Sequence, residues 1–188
     1  MAAAAKNLKK DDERPIKVFF QDEARFGRIN KVGKCWVPKG CRAIIGQQIV
    51  RQYTHVYACV CPETGEVFSL ILPYSNTDGM NIFIREFQKE YPNYRVIMIM
   101  DKAGWHISKD LELGTNLVFM YLPPYSPELN PAEHLWEYLR VKKGFNNNVF
   151  NSLQEVEDKL SKSLYEMMNE QDEMKSLCNF NWLDYTLC

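Results

Sequence analysis

Residues 122 to 136 read Leu-Pro-Pro-Tyr-Ser-Pro-Glu-Leu-Asn-Pro-Ala-Glu-His-Leu-Trp. This stretch fixes where a helix begins and which side chain its first turn presents. Asn130 suits the N-cap, Pro131 the first helical position, and Glu133 falls at the third. The helix is expected over Pro131 to Lys143, where Gly144 stops it and Arg140, Lys142 and Lys143 suit its negative end. Two aspartates elsewhere each close a short hydrophobic run, Val18-Phe-Phe-Gln-Asp22 and Val96-Ile-Met-Ile-Met-Asp101.

A chain of 188 residues is one domain of ordinary size, and 46% hydrophobic with 13% aromatic residues argues for a packed core. No apolar run reaches the roughly 18 residues that a membrane span needs, and the N-terminus lacks a secretory signal. A cytoplasmic protein with no membrane partner is expected. Six cysteines, at 35, 41, 59, 61, 178 and 188, have no paired C-x-x-C ligand spacing, so reduced buried thiols are expected rather than a zinc site.

The net charge of −1 conceals a strong asymmetry. From Ala24 to Pro62 there is no acid, but there are Arg25, Arg28, Lys31, Lys34, Lys39, Arg42 and Arg51. Beyond Ser152 acids dominate, against only Lys159, Lys162 and Lys175. Local fields rather than net charge attract phosphates, so the basic stretch is a candidate nucleic-acid surface, although a solvated basic loop reads the same way.

Along the chain, residues 1–15 read as an N-terminal arm, 16–170 as the folded domain and 171–188 as a C-terminal tail. Strands are expected at Ile16 to Asp22, Tyr53 to Cys61, Glu66 to Leu72, Arg95 to Met100 and Leu117 to Leu122. Pro62-Glu-Thr-Gly65 joins the second and third as a hairpin. Gly27, Gly33, Pro38 and Gly40 punctuate a loop with a short strand at Lys34 to Val37. Helices are expected at Asn81 to Glu90 with Asp78 as cap, at Ser108 to Leu113, and at Ser152 to Asn169 with Ser152 and Glu155 as capping pair. The fold class is α/β, a mixed five-stranded sheet flanked by helices. If the first and fourth strands are neighbours, Asp22 and Asp101 lie side by side. Two strand-end aspartates and a helix-borne glutamate are what a two-metal phosphodiester-cutting site requires.

Three motifs carry a resemblance: Phe20-Gln-Asp-Glu-Ala-Arg-Phe-Gly27, then Met100-Asp-Lys-Ala-Gly-Trp-His106, then Pro123 to Trp136. Together they are similar to the DDE transposases, in particular the mariner superfamily and its bacterial insertion-sequence branch, over roughly residues 16 to 145. The resemblance implies a ribonuclease-H-like fold, two Mg²⁺ or Mn²⁺ ions, and DNA cleavage and strand transfer at transposon ends into TA targets. Residue by residue it implies Asp22, Asp101 and Glu133 as catalytic metal ligands, Asp22 bridging the ions. Thirty-one residues, 102 to 132, separate the last two, close to the superfamily's spacing. Lys102 stands where members often carry Asn. Members also carry helix-turn-helix modules ahead of this domain, so a separately encoded DNA-binding part is an expected partner. A homodimer on double-stranded DNA, associated with a bacterial nucleoid, is expected as well.

Each residue has a plainer competing role. Glu133 could close a capping box with Asn130, and Glu128 competes as the third acid. Glu23 points to the opposite face from Asp22 if the strand continues, which makes it the weaker candidate. Arg25, Arg28, Lys31, Lys34, Trp36, Lys102 and His106 are the expected DNA contacts, with a loop-anchoring hydrogen bond an equal reading for His106. Trp105 and Trp136 read as core, and His55 and His134 as structural. Two other functions stay open here: a nuclease of the same fold that only hydrolyses, and a catalytically idle nucleic-acid-binding domain.

Overall fold

The computed structural model describes residues 12–183. Five strands form one sheet in the order β3-β2-β1-β4-β5: β1 Ile16–Ile29, β2 Ile49–Val60, β3 Val67–Leu72, β4 Arg95–Met100 and β5 Leu117–Tyr121. β1 pairs antiparallel with β2 and parallel with β4, and β4 pairs parallel with β5. The sheet is therefore mixed, and β1 and β4 are neighbours as the site requires.

Alternation along β1 and β4 divides the core in two. Val18, Phe20, Val56, Ile97 and Ile99 face helices α2 (Glu133–Val141), α3 (Leu153–Asn169) and α4 (Gln171–Cys178). Phe19, Tyr57, Cys59, Met98 and Met100 face helix α1, Thr77–Glu90. α1 buries Met80, Phe83, Ile84 and Phe87 completely, each worth roughly 1.5–3 kcal/mol. Phe87 packs edge-on against Phe19 at 5.1 Å between ring centroids. On the other face Lys143 ties the end of α2 to Glu166 of α3 and to Glu170 at the junction of α3 and α4, and Gly144, at φ 68°, ends α2 in the left-handed region.

Several expectations are corrected. β1 does not stop at Asp22 but runs on to Ile29, because Ala24 and Phe26 stay buried while Arg25 points out. Gly27 lies inside this strand rather than in a loop: a Cβ there would sit 2.2 Å from the Gln52 carbonyl oxygen of β2. Neither the short strand at Lys34 to Val37 nor the helix at Ser108 to Leu113 forms. Asn76, not Asp78, caps α1, accepting the Gly79 N–H at 2.8 Å. The stretch read as a tail opens with α4, whose Met174 and Cys178 are buried in the core. Cys59, Cys61 and Cys178 are buried free thiols, whereas Cys35 and Cys41 are exposed. Residues 1–11 of the expected arm, and Cys188, lie outside the described residues.

Candidate active site

Sheet register brings the two aspartates together. The parallel β1–β4 ladder ends at the pair Phe20–Ile99, and two residues further along both chains stand Asp22 and Asp101. Asp101 follows the last residue of β4, but Asp22 is mid-strand, with Ala58 of β2 still paired to it. It is approachable because β4 has ended beside it. Glu133 opens α2, and the three acids line one cavity of about 440 Å³ with Lys102, Pro123 to Pro127 and Asn130. Glu128 lines an adjoining cavity instead, which favours Glu133 as the third acid.

Local structure aims each carboxylate. Asn130 accepts the Ala132 N–H through Oδ1 at 3.2 Å and donates from Nδ2 to the Gln21 carbonyl at 3.0 Å, fastening the start of α2 to β1. The helix proper begins at Glu133, two residues later than expected, after a turn closed by Glu133 N–H to Asn130 O. The N–H that a capping box would offer Glu133 goes instead to the Pro127 carbonyl, so its exposed carboxylate is left to the cavity. Trp136, one turn further on and almost wholly buried, donates its indole N–H to Asp22 Oδ2 at 2.7 Å. Burial pushes the Asp22 carboxyl up to about 7; the Trp136 bond works against this, and the charges of Glu133 and Glu23 add to it.

Asp101 Oδ1 accepts from the Ala103 N–H at 2.9 Å and meets His106 Nδ1 at 2.7 Å. The other ring nitrogen, Nε2, meets Glu23 Oε1 at 2.8 Å. Burial works against a charge on His106, but Glu23 and Asp101 outweigh it and hold its pKa above the usual histidine value. His106 is fully buried, which corrects its expected contact with DNA. Glu23 does point away from Asp22, as expected, yet it has a partner there that the sequence left undetermined. The adjacent acids at 22 and 23 and a histidine five residues after Asp101 were the available signals.

The donor set is all carboxylate oxygen, the chemistry that Mg²⁺ and Mn²⁺ prefer. The raised Asp22 carboxyl reflects a buried group crowded by like charge, which a cation would relieve. As the side chains stand, no three histidine, cysteine or acidic groups among the described residues cluster closely enough to hold an ion. The residues fit such ions in chemistry, with the cluster not drawn together.

The basic residues part company. Arg25, Lys31 and Arg140 line one cleft of about 290 Å³ with Asn146 and no acid among its lining residues. Arg25 lies 4.3 Å from the Tyr53 ring centroid. Arg28 is turned inward instead, donating to the Phe150 carbonyl at 3.0 Å and to Gln52 Oε1 at 2.8 Å. Lys34 and the fully exposed Trp36 belong to the segment between β1 and β2 and line neither this cleft nor the cavity of the acids.

The sequence model of the DDE superfamily endonucleases matches residues 17–157, a span that holds all three acids. The chain belongs to the DDE superfamily of endonucleases. The uncharacterised protein y4pE/y4sA of Sinorhizobium fredii (strain NBRC 101917 / NGR234) is 32% identical over 105 residues, covering 55% of this chain and 77% of that protein. Among solved structures, a pre-cleavage Mos1 transpososome matches with a TM-score of 0.59 at 19% identity, over 87% of this chain and 55% of that one. The Mos1 mariner paired end complex with Mn matches at 0.60 and 20%, over 86% and 53%. These likenesses establish the ribonuclease-H-like fold of this DDE domain, which spans about half the length of the solved chains it matches.

Proposed function

We propose that this DDE domain cuts DNA phosphodiester bonds at transposon ends and joins the freed ends to target DNA at TA sequences. One observation carries the reading: Asp22, Asp101 and Glu133 come from three separate elements and line one cavity. Asp22, Asp101 and Glu133 are the residues that would hold two divalent ions, which supply Lewis-acid charge to the attacking and leaving oxygens of the phosphodiester.

The remaining work falls to the chain itself. Trp136 holds one oxygen of Asp22, and the Pro-rich segment from Pro123 to Pro127 forms a wall of the cavity. Lys102, exposed at the cavity, would meet a phosphate of the bound DNA. Hydrolysis forms one P–O bond from water and breaks another, leaving a 3′-hydroxyl and a 5′-phosphate. Strand transfer then forms a P–O bond from that hydroxyl and breaks one in the target. Bonds are exchanged one for one, so no covalent enzyme intermediate and no external energy source is required.

The partners proposed are double-stranded DNA, a second copy of the chain on that DNA, and a helix-turn-helix part that recognises the ends. The proposed setting is the bacterial cytoplasm at the nucleoid; among the described residues no helix is long and apolar enough to cross a membrane. The test is Mn²⁺-dependent cleavage and joining on a pre-cut oligonucleotide duplex with a TA-containing target. Joined products from the wild type and none from Asp101→Asn support the reading. Cleavage without joining would reduce the protein to a hydrolytic nuclease, and equal products from both proteins would remove Asp101 from the chemistry.

A further inference from the structure

Asp101 has an anchoring problem that its strand does not solve. It lies one residue past β4, and its side chain is 60% exposed, so nothing in the sheet fixes its carboxylate. Its Oδ1 is nevertheless held twice, by the Ala103 N–H and by His106 Nδ1, while no hydrogen bond among the described residues engages Oδ2.

His106 is itself immobilised from the far side of the sheet. Its side chain is 1% exposed, Nε2 meets Glu23, and its backbone carbonyl accepts from the Tyr121 hydroxyl at 2.7 Å. Glu23 is fixed in turn, since Oε1 also accepts from Gln21 Nε2 at 2.9 Å and Oε2 from Trp105 Nε1 at 3.3 Å. Asp22 and Glu23 are neighbours on β1 with opposite outlooks: Asp22 lines the acidic cavity, and Glu23 grips the histidine that grips Asp101. A single rigid strand thereby sets the position of both aspartates.

We propose that His106, anchored by Glu23, is a positioning residue that occupies Oδ1 of Asp101 and presents Oδ2 alone to a divalent cation. The inference rests on the metal-dependent reading of the site. Its physical basis is preorganisation: a ligand oxygen held by a neighbour loses less freedom when it binds, and removing such partners typically costs about 10–100-fold in metal affinity.

The test titrates Mn²⁺ into the protein without DNA and follows free Mn²⁺ by electron paramagnetic resonance, with circular dichroism and thermal melting of each variant alongside. Asp101→Asn must bind Mn²⁺ more weakly than the wild type; if it does not, the metal reading fails and the inference with it. Given that loss, folded His106→Phe, which keeps a ring but no donor, is expected to bind Mn²⁺ about 10–100-fold more weakly. Should that variant not fold, Glu23 decides the matter. Glu23→Gln retains an acceptor for Nε2–H and should stay close to wild type in affinity, whereas Glu23→Leu loses the acceptor and should weaken by about 10-fold or more. Wild-type Mn²⁺ affinity in folded His106→Phe or in folded Glu23→Leu would overturn the proposal.

Discussion

The indole of Trp136 and the carboxylate of Asp22 meet across the boundary between sheet and helix, at 2.7 Å. Trp136 stands three residues after Glu133, so one face of the first turn of α2 both presents an acid to the cavity and restrains another across it. Trp136→Phe keeps most of the buried ring and removes the indole N–H that Asp22 Oδ2 accepts. The variant should lose about 1–3 kcal/mol in urea unfolding at neutral pH, the cost of a buried acceptor left unpaired. An unchanged midpoint would mean that Trp136 serves packing alone.

Asp22 also predicts a pH dependence of stability. Its carboxyl is raised from 3.8 to about 7 in the folded chain, chiefly by burial. Between those values the native state holds a proton that the unfolded state has released, so metal-free stability falls as pH rises through the window. The slope from this one group approaches about 1.4 kcal/mol per pH unit. Asp22→Asn removes the group and the slope together. The variant should therefore gain stability over the wild type as pH climbs from 4 to 7, and lose cleavage. Parallel denaturation curves for the two proteins at every pH would contradict this.

Much of this was written in the sequence, and the failures have physical causes. The apolar runs ending in Asp22 and Asp101 located both acids because a sheet covered on both faces needs unbroken hydrophobic strands. The length of β1 was hidden because its second half alternates charge with apolar residues and contains Gly27, a residue that reads as a loop signal. Only the close approach of Gln52 reveals why glycine is needed there. The Glu23–His106–Asp101 chain was illegible because it joins residues more than eighty positions apart, through side-chain geometry that spacing does not encode. Arg28 looked equivalent to Arg25 in the sequence, but the distant Phe150 carbonyl and Gln52 had claimed it.

Glu133 and Glu128 can be separated by paired substitutions. Glu133→Gln removes an anionic ligand from the cavity while leaving the hydrogen bonds that start α2, which come from Asn130 and the backbone. Helix content and melting temperature should hold while Mn²⁺-dependent cleavage disappears. Glu128→Gln should retain cleavage, since that residue lines the adjoining cavity. The opposite pattern in the cleavage assay would transfer the third-acid role to Glu128.

The manner in which DNA is held gives the final prediction. Arg25, Lys31 and Arg140 converge on a cleft whose lining contains no acid, and Lys31 and Arg140 continue into the cavity that Glu133 shares. Arg140 is seven residues beyond Glu133 on α2, about 10.5 Å along the axis at 1.5 Å per residue, so a backbone reaching the acids can pass these cations. Each phosphate neutralised on duplex DNA adds about 0.9 to the slope of log affinity against log salt. Arg25, Lys31 and Arg140 replaced together by Ala should flatten that slope by up to about 2.7. Arg28→Ala should instead leave the slope nearly unchanged and lower stability, because its guanidinium fastens β1 to the Phe150 carbonyl. Binding by the domain should be weak and indifferent to sequence, with dissociation constants of about 10⁻⁴–10⁻⁶ M at physiological salt. Fluorescence anisotropy on a labelled duplex across a salt series measures both slopes. A triple variant with the wild-type slope would show that the cleft does not carry the DNA backbone.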